Sequence, residues 1–341
     1  MTRFWPAAFL TMAMCQTAPE SQVFPTAGSI EVLHEALHAL VPVDAQLEII
    51  AEGYEWSEGP VWVPDGGYLL FSDIPPNRIY KWQEDVGATL FLEPSGYTGD
   101  LPRGGEVGSN GLTLDHEGHL VMAQHGDRRI ARLAHPLNTS PAAEYLTIAD
   151  QYHGLRFNSP NDLTFHSSGA LYFTDPPYGL EHSMEDPAKD LDFQGVYRVA
   201  TDGSITLLES GMSRPNGIAF SPDERTLYVA NSDPADPIWM AYDVVDDDTL
   251  ANGRVFFDAS HLVAEGRRGL PDGLKVDVAG NLFATGPGGV LVLSPEGRHL
   301  GTLQTGQATS NCAFGNDGRT LYITADMYLM RLRLLTVGTG F

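Results

Sequence analysis

Pro215-Asn216-Gly217-Ile218-Ala219-Phe220-Ser221-Pro222-Asp223-Glu224-Arg225-Thr226-Leu227-Tyr228-Val229-Ala230 is the stretch that decides the fold. Residues 218–220 are a short apolar run, 221–224 a polar turn, and 226–230 a second β-rich run. Two such runs around a Pro/Asp turn read as an antiparallel hairpin. The second run recurs along the whole chain. Its other copies are Tyr68-Leu69-Leu70-Phe71-Ser72, His119-Leu120-Val121-Met122-Ala123, Ala170-Leu171-Tyr172-Phe173-Thr174, Asn281-Leu282-Phe283-Ala284-Thr285 and Thr320-Leu321-Tyr322-Ile323-Thr324. The leucines 69, 120, 171, 227, 282 and 321 are separated by 51, 51, 56, 55 and 39 residues. Six copies at that period point to propeller blades rather than helical repeats.

Further β-rich runs follow the copies, as in Gly195-Val196-Tyr197-Arg198-Val199 and Gly289-Val290-Leu291-Val292-Leu293. The fold expected is all-β: a six-bladed β-propeller with four-stranded blades over residues 45–336. Residues 21–44 read as an N-terminal extension with a short helix within 29–40. After Leu321 the chain has room for one more strand, so Gln46-Leu47-Glu48-Ile49-Ile50-Ala51 is expected to complete the last blade and leave no open edge.

Ten or eleven residues before each repeat leucine stand Glu58, Asn110, Asn161, Asn216, Asp272 and Asn311. Each carries a side-chain oxygen and opens the first strand of its repeat. First strands line the channel of a propeller, so the six positions converge on its axis. Oxygen donors without thiolate or imidazole suit a hard cation such as Ca²⁺. The alternative is turn chemistry, because Glu58, Asn110, Asn216 and Asp272 are each followed by glycine. A turn role alone gives no reason for a glutamate at 58. A cation at the channel mouth would polarise a carbonyl or phosphoryl oxygen and activate water, with a nearby carboxylate as general base. Glu58, Asp272 and Asp162 are the carboxylates at hand. No Gly-x-Ser-x-Gly elbow offers a serine nucleophile.

Composition excludes more than it selects. The 341 residues hold 20 Lys plus Arg against 44 Asp plus Glu, a formal charge of −24. Phosphate backbones and anionic lipid surfaces repel such a chain, so nucleic acid is not an expected partner. With 43% apolar and 19% charged residues it is no disordered acidic tail. Cys15 and Cys312 form no metal or disulfide pattern, and Cys312 reads as a buried, inert thiol. Arg3, the apolar stretch 4–14 and Cys15 resemble an export signal over 1–20, which implies a periplasmic or secreted protein; the location would be cytoplasmic if 1–20 are not a signal. No stretch reaches 18 consecutive apolar residues, so no membrane-spanning segment is expected.

Several of these stretches resemble the gluconolactonase/senescence-marker-protein (regucalcin) family, the bacterial gluconolactonases in particular. The matching motifs are Trp56-Ser57-Glu58-Gly59-Pro60-Val61-Trp62, Arg156-Phe157-Asn158-Ser159-Pro160-Asn161-Asp162-Leu163, Phe173-Thr174-Asp175-Pro176-Pro177-Tyr178-Gly179, Arg214-Pro215-Asn216-Gly217 with Ser221-Pro222-Asp223, and Pro271-Asp272-Gly273. They occur in family order across most of the chain. The resemblance implies a six-bladed propeller holding a divalent metal, usually Ca²⁺ with Zn²⁺ or Mn²⁺ as alternatives, and sugar-lactone hydrolysis. It implies Glu58, Asn161, Asn216 and Asp272 as metal ligands and Asp272 as proton donor and acceptor. One departure is Ser159, where regucalcin-type members place an arginine; the nearest arginine is Arg156.

Asn110, His125, Arg156, Tyr178 and Asn311 are the expected substrate contacts. Arg128 and Arg129 read as salt bridges between blades, Asp175 as part of a proline-stiffened loop, and Asp246-Asp247-Asp248 as a solvated turn. His153 and His166 are not expected in the chemistry. The function expected is Ca²⁺-dependent hydrolysis of a small-molecule sugar lactone such as gluconolactone by a monomer or small homo-oligomer. One alternative is an organophosphate or other lactone/ester hydrolase on the same metal propeller. Another is a calcium-stabilised binding platform without catalysis.

Overall fold

Leu69, Leu120, Leu171, Leu227, Leu282 and Leu321 are all buried, none more than 2% exposed. Each lies in the second strand of an antiparallel sheet, where neighbouring residues point to opposite faces. Both faces are apolar because each sheet is packed between two others. Leu69 and Phe71 meet Tyr322 and Leu329 of the last blade, whereas Leu70 meets Leu120 and Met122 of the second. Among the described residues the apolar core is split into six such clusters, one for each interface between adjacent blades.

The computed structural model describes residues 1–2, 23–137, 141–246 and 249–341. It is a six-bladed β-propeller in which blades 1 to 6 begin with the strands Ser57–Val63, Ser109–Leu114, Leu163–Phe165, Pro215–Phe220, Leu274–Val276 and Asn311–Gly315. Each of these first strands touches the first strands of both neighbouring blades, so together they line the channel. The export-signal stretch, Cys15, Asp247 and Asp248 lie outside the described residues. None of the described helices is long and apolar enough to cross a membrane.

The ring closes as the sequence suggests. Leu47–Glu52 pairs antiparallel with Tyr328–Arg333 and supplies the fourth strand of blade 6. The preceding segment differs from expectation. Thr26–Ala27 adds to that same sheet beside Leu47 and Glu48. Ser29–Val32 is a strand rather than the start of a helix, because pairing with His299–Gln304 at the outer edge of blade 5 satisfies its backbone groups. The helix shrinks to one 3₁₀ turn, Glu35–Ala39, capped by His34 Nδ1 accepting from Ala36 N at 3.1 Å. Its Leu37 is fully buried against the cluster between blades 5 and 6. Cys312 is buried as expected, and burial pushes its thiol up to about 12.

Candidate metal centre and active site

All six ring positions stand at the start of a channel-lining strand or two residues before it. Glu58, Asn110, Asn161, Asn216 and Asp272 line one cavity of about 380 Å³. Asn311 stands beside them, buried, with its Nδ2 donating to Glu58 Oε2 at 3.2 Å.

The glycines that follow four of these residues are explained by packing more than by turn geometry. Only Gly59 has a positive φ, 51°. A Cβ on Gly59 would lie 2.0 Å from the Asn110 carbonyl oxygen, on Gly111 2.7 Å from that of Asn161, and on Gly217 2.2 Å from that of Asp272. On Gly273 it would lie 2.0 Å from Asn311 Cγ. In each case the obstruction is the ring residue of the next blade. Glycine therefore lets adjacent first strands close around a narrow axis.

A second repeat fixes the approach to the ring. Four residues after the repeat leucine stand Asp73, Asp175 and Asn231 in blades 1, 3 and 4. Each accepts the backbone N–H of the residue two places before its blade's ring residue: Trp56 N to Asp73 Oδ1 at 3.0 Å, Ser159 N to Asp175 Oδ1 at 2.8 Å, and Arg214 N to Asn231 Oδ1 at 2.9 Å. The segments leading into Glu58, Asn161 and Asn216 are thus held by buried side chains. Hydroxyls support the ring from behind as well, with Ser72 Oγ donating to the Asn110 carbonyl and Thr174 Oγ1 to that of Asn216.

Carboxylates are concentrated at the ring. Burial, together with the neighbouring charges of Glu58, Asp162 and Glu106, holds the Asp272 carboxyl well above its ordinary value. Burial, then Asp162, likewise raises Glu58. Asn110 Oδ1, Asn161 Oδ1, Asp162 Oδ2 and Asp272 Oδ1 are buried without any hydrogen-bond partner among the described residues. Buried polar atoms are rarely left so. An all-oxygen donor set with repelling carboxylates and orphaned acceptors fits a hard divalent cation. A second acidic group, Asp115, Glu117 and His119, sits in the turn at the far end of the blade 2 inner strand. Arg132 approaches both of its carboxylates, at 3.7 and 3.8 Å, so a positive charge already faces it.

The other expected site residues divide. Tyr178 lines the cavity, and its hydroxyl donates to the Ser232 carbonyl at 3.3 Å, tying the proline loop of blade 3 to blade 4. His125 does not reach the cavity surface. It is fully buried behind the ring, with Nδ1 3.2 Å from Glu106 Oε2 and Nε2 3.5 Å from Asn161 Nδ2. Glu106, whose carboxylate contacts it, does line the cavity. Arg156 is exposed and away from the cavity, its Nη2 donating to the Asp127 carbonyl at 2.9 Å. Ser159 is buried, donating to the Pro176 carbonyl and accepting from Gly179 N.

Arg128 joins blades 2 and 3, but through the carbonyls of Phe157, Asn158 and Ala188 rather than through carboxylates. The Arg129 ion pair, with Asp127 at 3.0 Å, stays within its own blade. Trp56, Glu106, Arg214, Leu270 and Thr309 also line the cavity, and the sequence reading does not single them out. Four of them, all but Glu106, stand two residues before a ring position, a register that the repeat does carry.

The family model described as the SMP-30/Gluconolactonase/LRE-like region matches residues 56–326. A gluconolactonase from Zymomonas mobilis is 43% identical over 95% of this chain and 91% of its own length. Pentonolactonase XacC from Haloferax volcanii is 28% identical over 78% of this chain and 80% of its own. The structure of a gluconolactonase from Xanthomonas campestris superposes with a TM-score of 0.78 at 32% identity, covering 94% of this chain and all of that one. The matched region starts just before Glu58 and ends after the last ring residue, so the whole oxygen ring falls inside it. The chain belongs to the SMP-30/gluconolactonase/LRE-like family.

Proposed function

We propose that this chain is a metal-dependent lactonase that opens sugar lactones such as gluconolactone to the aldonic acid, with Ca²⁺ as its cation. The observation that carries the reading is the set of orphaned oxygens of Asn110, Asn161 and Asp272 at a polar cavity of about 380 Å³. That volume suits one sugar ring. The relatives named gluconolactonase and pentonolactonase support aldonolactones as the substrate class. A cavity walled by carboxylates, amides and a guanidinium favours a polyhydroxylated substrate over an apolar phosphotriester.

Glu58, Asn161, Asn216 and Asp272 would hold the cation, which when bound supplies Lewis-acid polarisation of the lactone carbonyl. The protein's own groups handle the proton. Asp272, in the cavity wall, accepts a proton from the water whose oxygen bonds to the carbonyl carbon. The carbon–oxygen bond of the ring then breaks, and the same carboxyl returns the proton to the departing alkoxide oxygen. The product is the open hydroxy acid. Asn110 offers an amide to a substrate hydroxyl, and the Tyr178 loop covers one side of the cavity.

The test is hydrolysis of glucono-, galactono- and xylonolactone and of a phosphotriester after chelation and metal add-back. Lactone turnover that vanishes with chelator and returns best with Ca²⁺ is expected. Full activity in chelator would overturn metal dependence. Phosphotriester turnover exceeding that of every lactone would overturn the substrate class.

A further inference from the structure

One tier above the oxygen ring, the channel wall changes chemistry. The residues two places before the ring positions are Trp56, Gly108, Ser159, Arg214, Leu270 and Thr309. All six lie just outside the first strands, on the side from which the chain enters them. Gly108 and Ser159 are small and packed against covering loops. The other four line the same cavity as Glu58 and Asp272.

Trp56 belongs to blade 1 and Arg214 to blade 4, which stand opposite each other in a ring of six. An indole and a guanidinium therefore line the same cavity from opposite blades. Both are held by their backbones, through Asp73 and Asn231 respectively. Arg214 is the only cation among the described residues lining the cavity, and Glu58, Glu106 and Asp272 are its acids. Yet none of those carboxylates pairs with it, and among the described residues no side chain accepts from its guanidinium. Five N–H donors on a fixed backbone are left for a ligand.

We propose that Trp56 and Arg214 are the substrate-reading walls of the site: the indole packs against the sugar ring, and the guanidinium donates to two of its hydroxyl oxygens. This rests on the lactonase reading. The planar fork of arginine matches a pair of adjacent oxygens, which the single charge of lysine does not. A hydrogen bond to a charged donor accounts for roughly 10- to 100-fold in affinity. Arg214 thus sets the preference for polyhydroxylated lactones, apart from the bond-breaking groups below it.

The test is steady-state kinetics of wild type, Arg214→Gln and Arg214→Lys on D-glucono-δ-lactone and on δ-valerolactone, which lacks hydroxyls. Arg214→Gln is expected to raise KM for gluconolactone about 10- to 100-fold with kcat changed less than about threefold. Its kcat/KM should fall at least about tenfold more for gluconolactone than for δ-valerolactone. Arg214→Lys should recover only part of the loss. Equal losses on both substrates would overturn the assignment. Calorimetric binding of gluconate to the metal-loaded wild type and both variants is the second arm. Wild type that hydrolyses neither lactone would sink the lactonase reading, whereas undiminished gluconate binding by both variants would sink the role of Arg214. If Arg214→Gln fails to fold, Arg214→Lys decides by the same two comparisons.

Discussion

Asn311 Nδ2 donates to Glu58 Oε2 over 3.2 Å, so the last blade is joined to the first inside the oxygen ring itself. The contact spans 253 residues of sequence, and one of its partners is a proposed cation ligand. Closing the propeller and shaping the site are therefore partly the same event.

Asn311→Ala should show this coupling. Among the described residues the substitution leaves Glu58 Oε2 with only the Gly59 N–H as donor. Loss of one buried hydrogen bond to a carboxylate costs about 1.5–3 kcal/mol. Calorimetry should find cation affinity lowered about tenfold, and the melting temperature should fall by a few degrees. Unchanged affinity would separate closure from the site.

Asp272→Asn tests the proton-handling role. A neutral amide keeps the shape, and it relieves repulsion from Glu58 and Asp162. Lactone kcat should drop by about 10³-fold or more, within the range of a lost general acid–base group with a weakened metal site. The metal-free melting temperature should hold or rise, while the increment from added Ca²⁺ shrinks. A parallel collapse of fold and turnover would mark the residue as structural.

Stability of the metal-free protein should depend on pH in an unusual direction. Glu58 is raised from 4.5 to about 8 by burial and by Asp162, and Asp272 is raised as well. The folded state then holds protons that the unfolded chain has released. Stability is greatest below the unfolded value and declines as pH climbs from about 4.5 towards 8. Thermal melts in chelator across pH 5 to 8 should decline accordingly. Added Ca²⁺ should give a growing increment over the same span, because the ligands must be deprotonated. Glu58→Gln should flatten the chelator curve; a slope unaltered by that change would contradict an origin in the buried carboxyls.

Gly217→Ala isolates the packing of the inner strands. Its φ is not in the left-handed region, so the penalty comes only from the new methyl meeting the Asp272 carbonyl oxygen. Overpacking of this kind costs about 1–3 kcal/mol. Denaturant unfolding should register that loss, and kcat should fall as Asp272 is displaced. Gly67→Ala is the contrast: φ there is 61°, with open space around the new methyl, so backbone strain acts without a clash.

The period of the leucines made the blades legible, because a strand packed between two sheets must be apolar on both faces. The same register made Glu58, Asn110, Asn161, Asn216, Asp272 and Asn311 legible as a convergent ring. Trp56, Arg214, Leu270 and Thr309 share that register, but their types differ from blade to blade. A position that repeats while its chemistry does not gives no signal in a search for likeness. The burial of His125 is not legible for another reason. The residue follows a second strand, as a mouth residue would, but only the fold reveals that Glu106 from the preceding loop contacts it. Ser29–Val32 paired with a strand about 270 residues away, which local periodicity cannot register.

That distant pairing sets a timetable for synthesis. Ser29–Val32 and Leu47–Glu52 leave the ribosome about 270 residues before their partners at His299–Gln304 and Tyr328–Arg333, whereas Thr26–Ala27 pairs with the nearby Leu47–Glu52. At translation speeds of about 5–20 residues per second, the wait is on the order of 15–50 s. Throughout that interval two β-prone segments lack the edges they will finally cover. Blades 1 to 4 take no strand from residues 26–52, so they can stack before the ring is fastened.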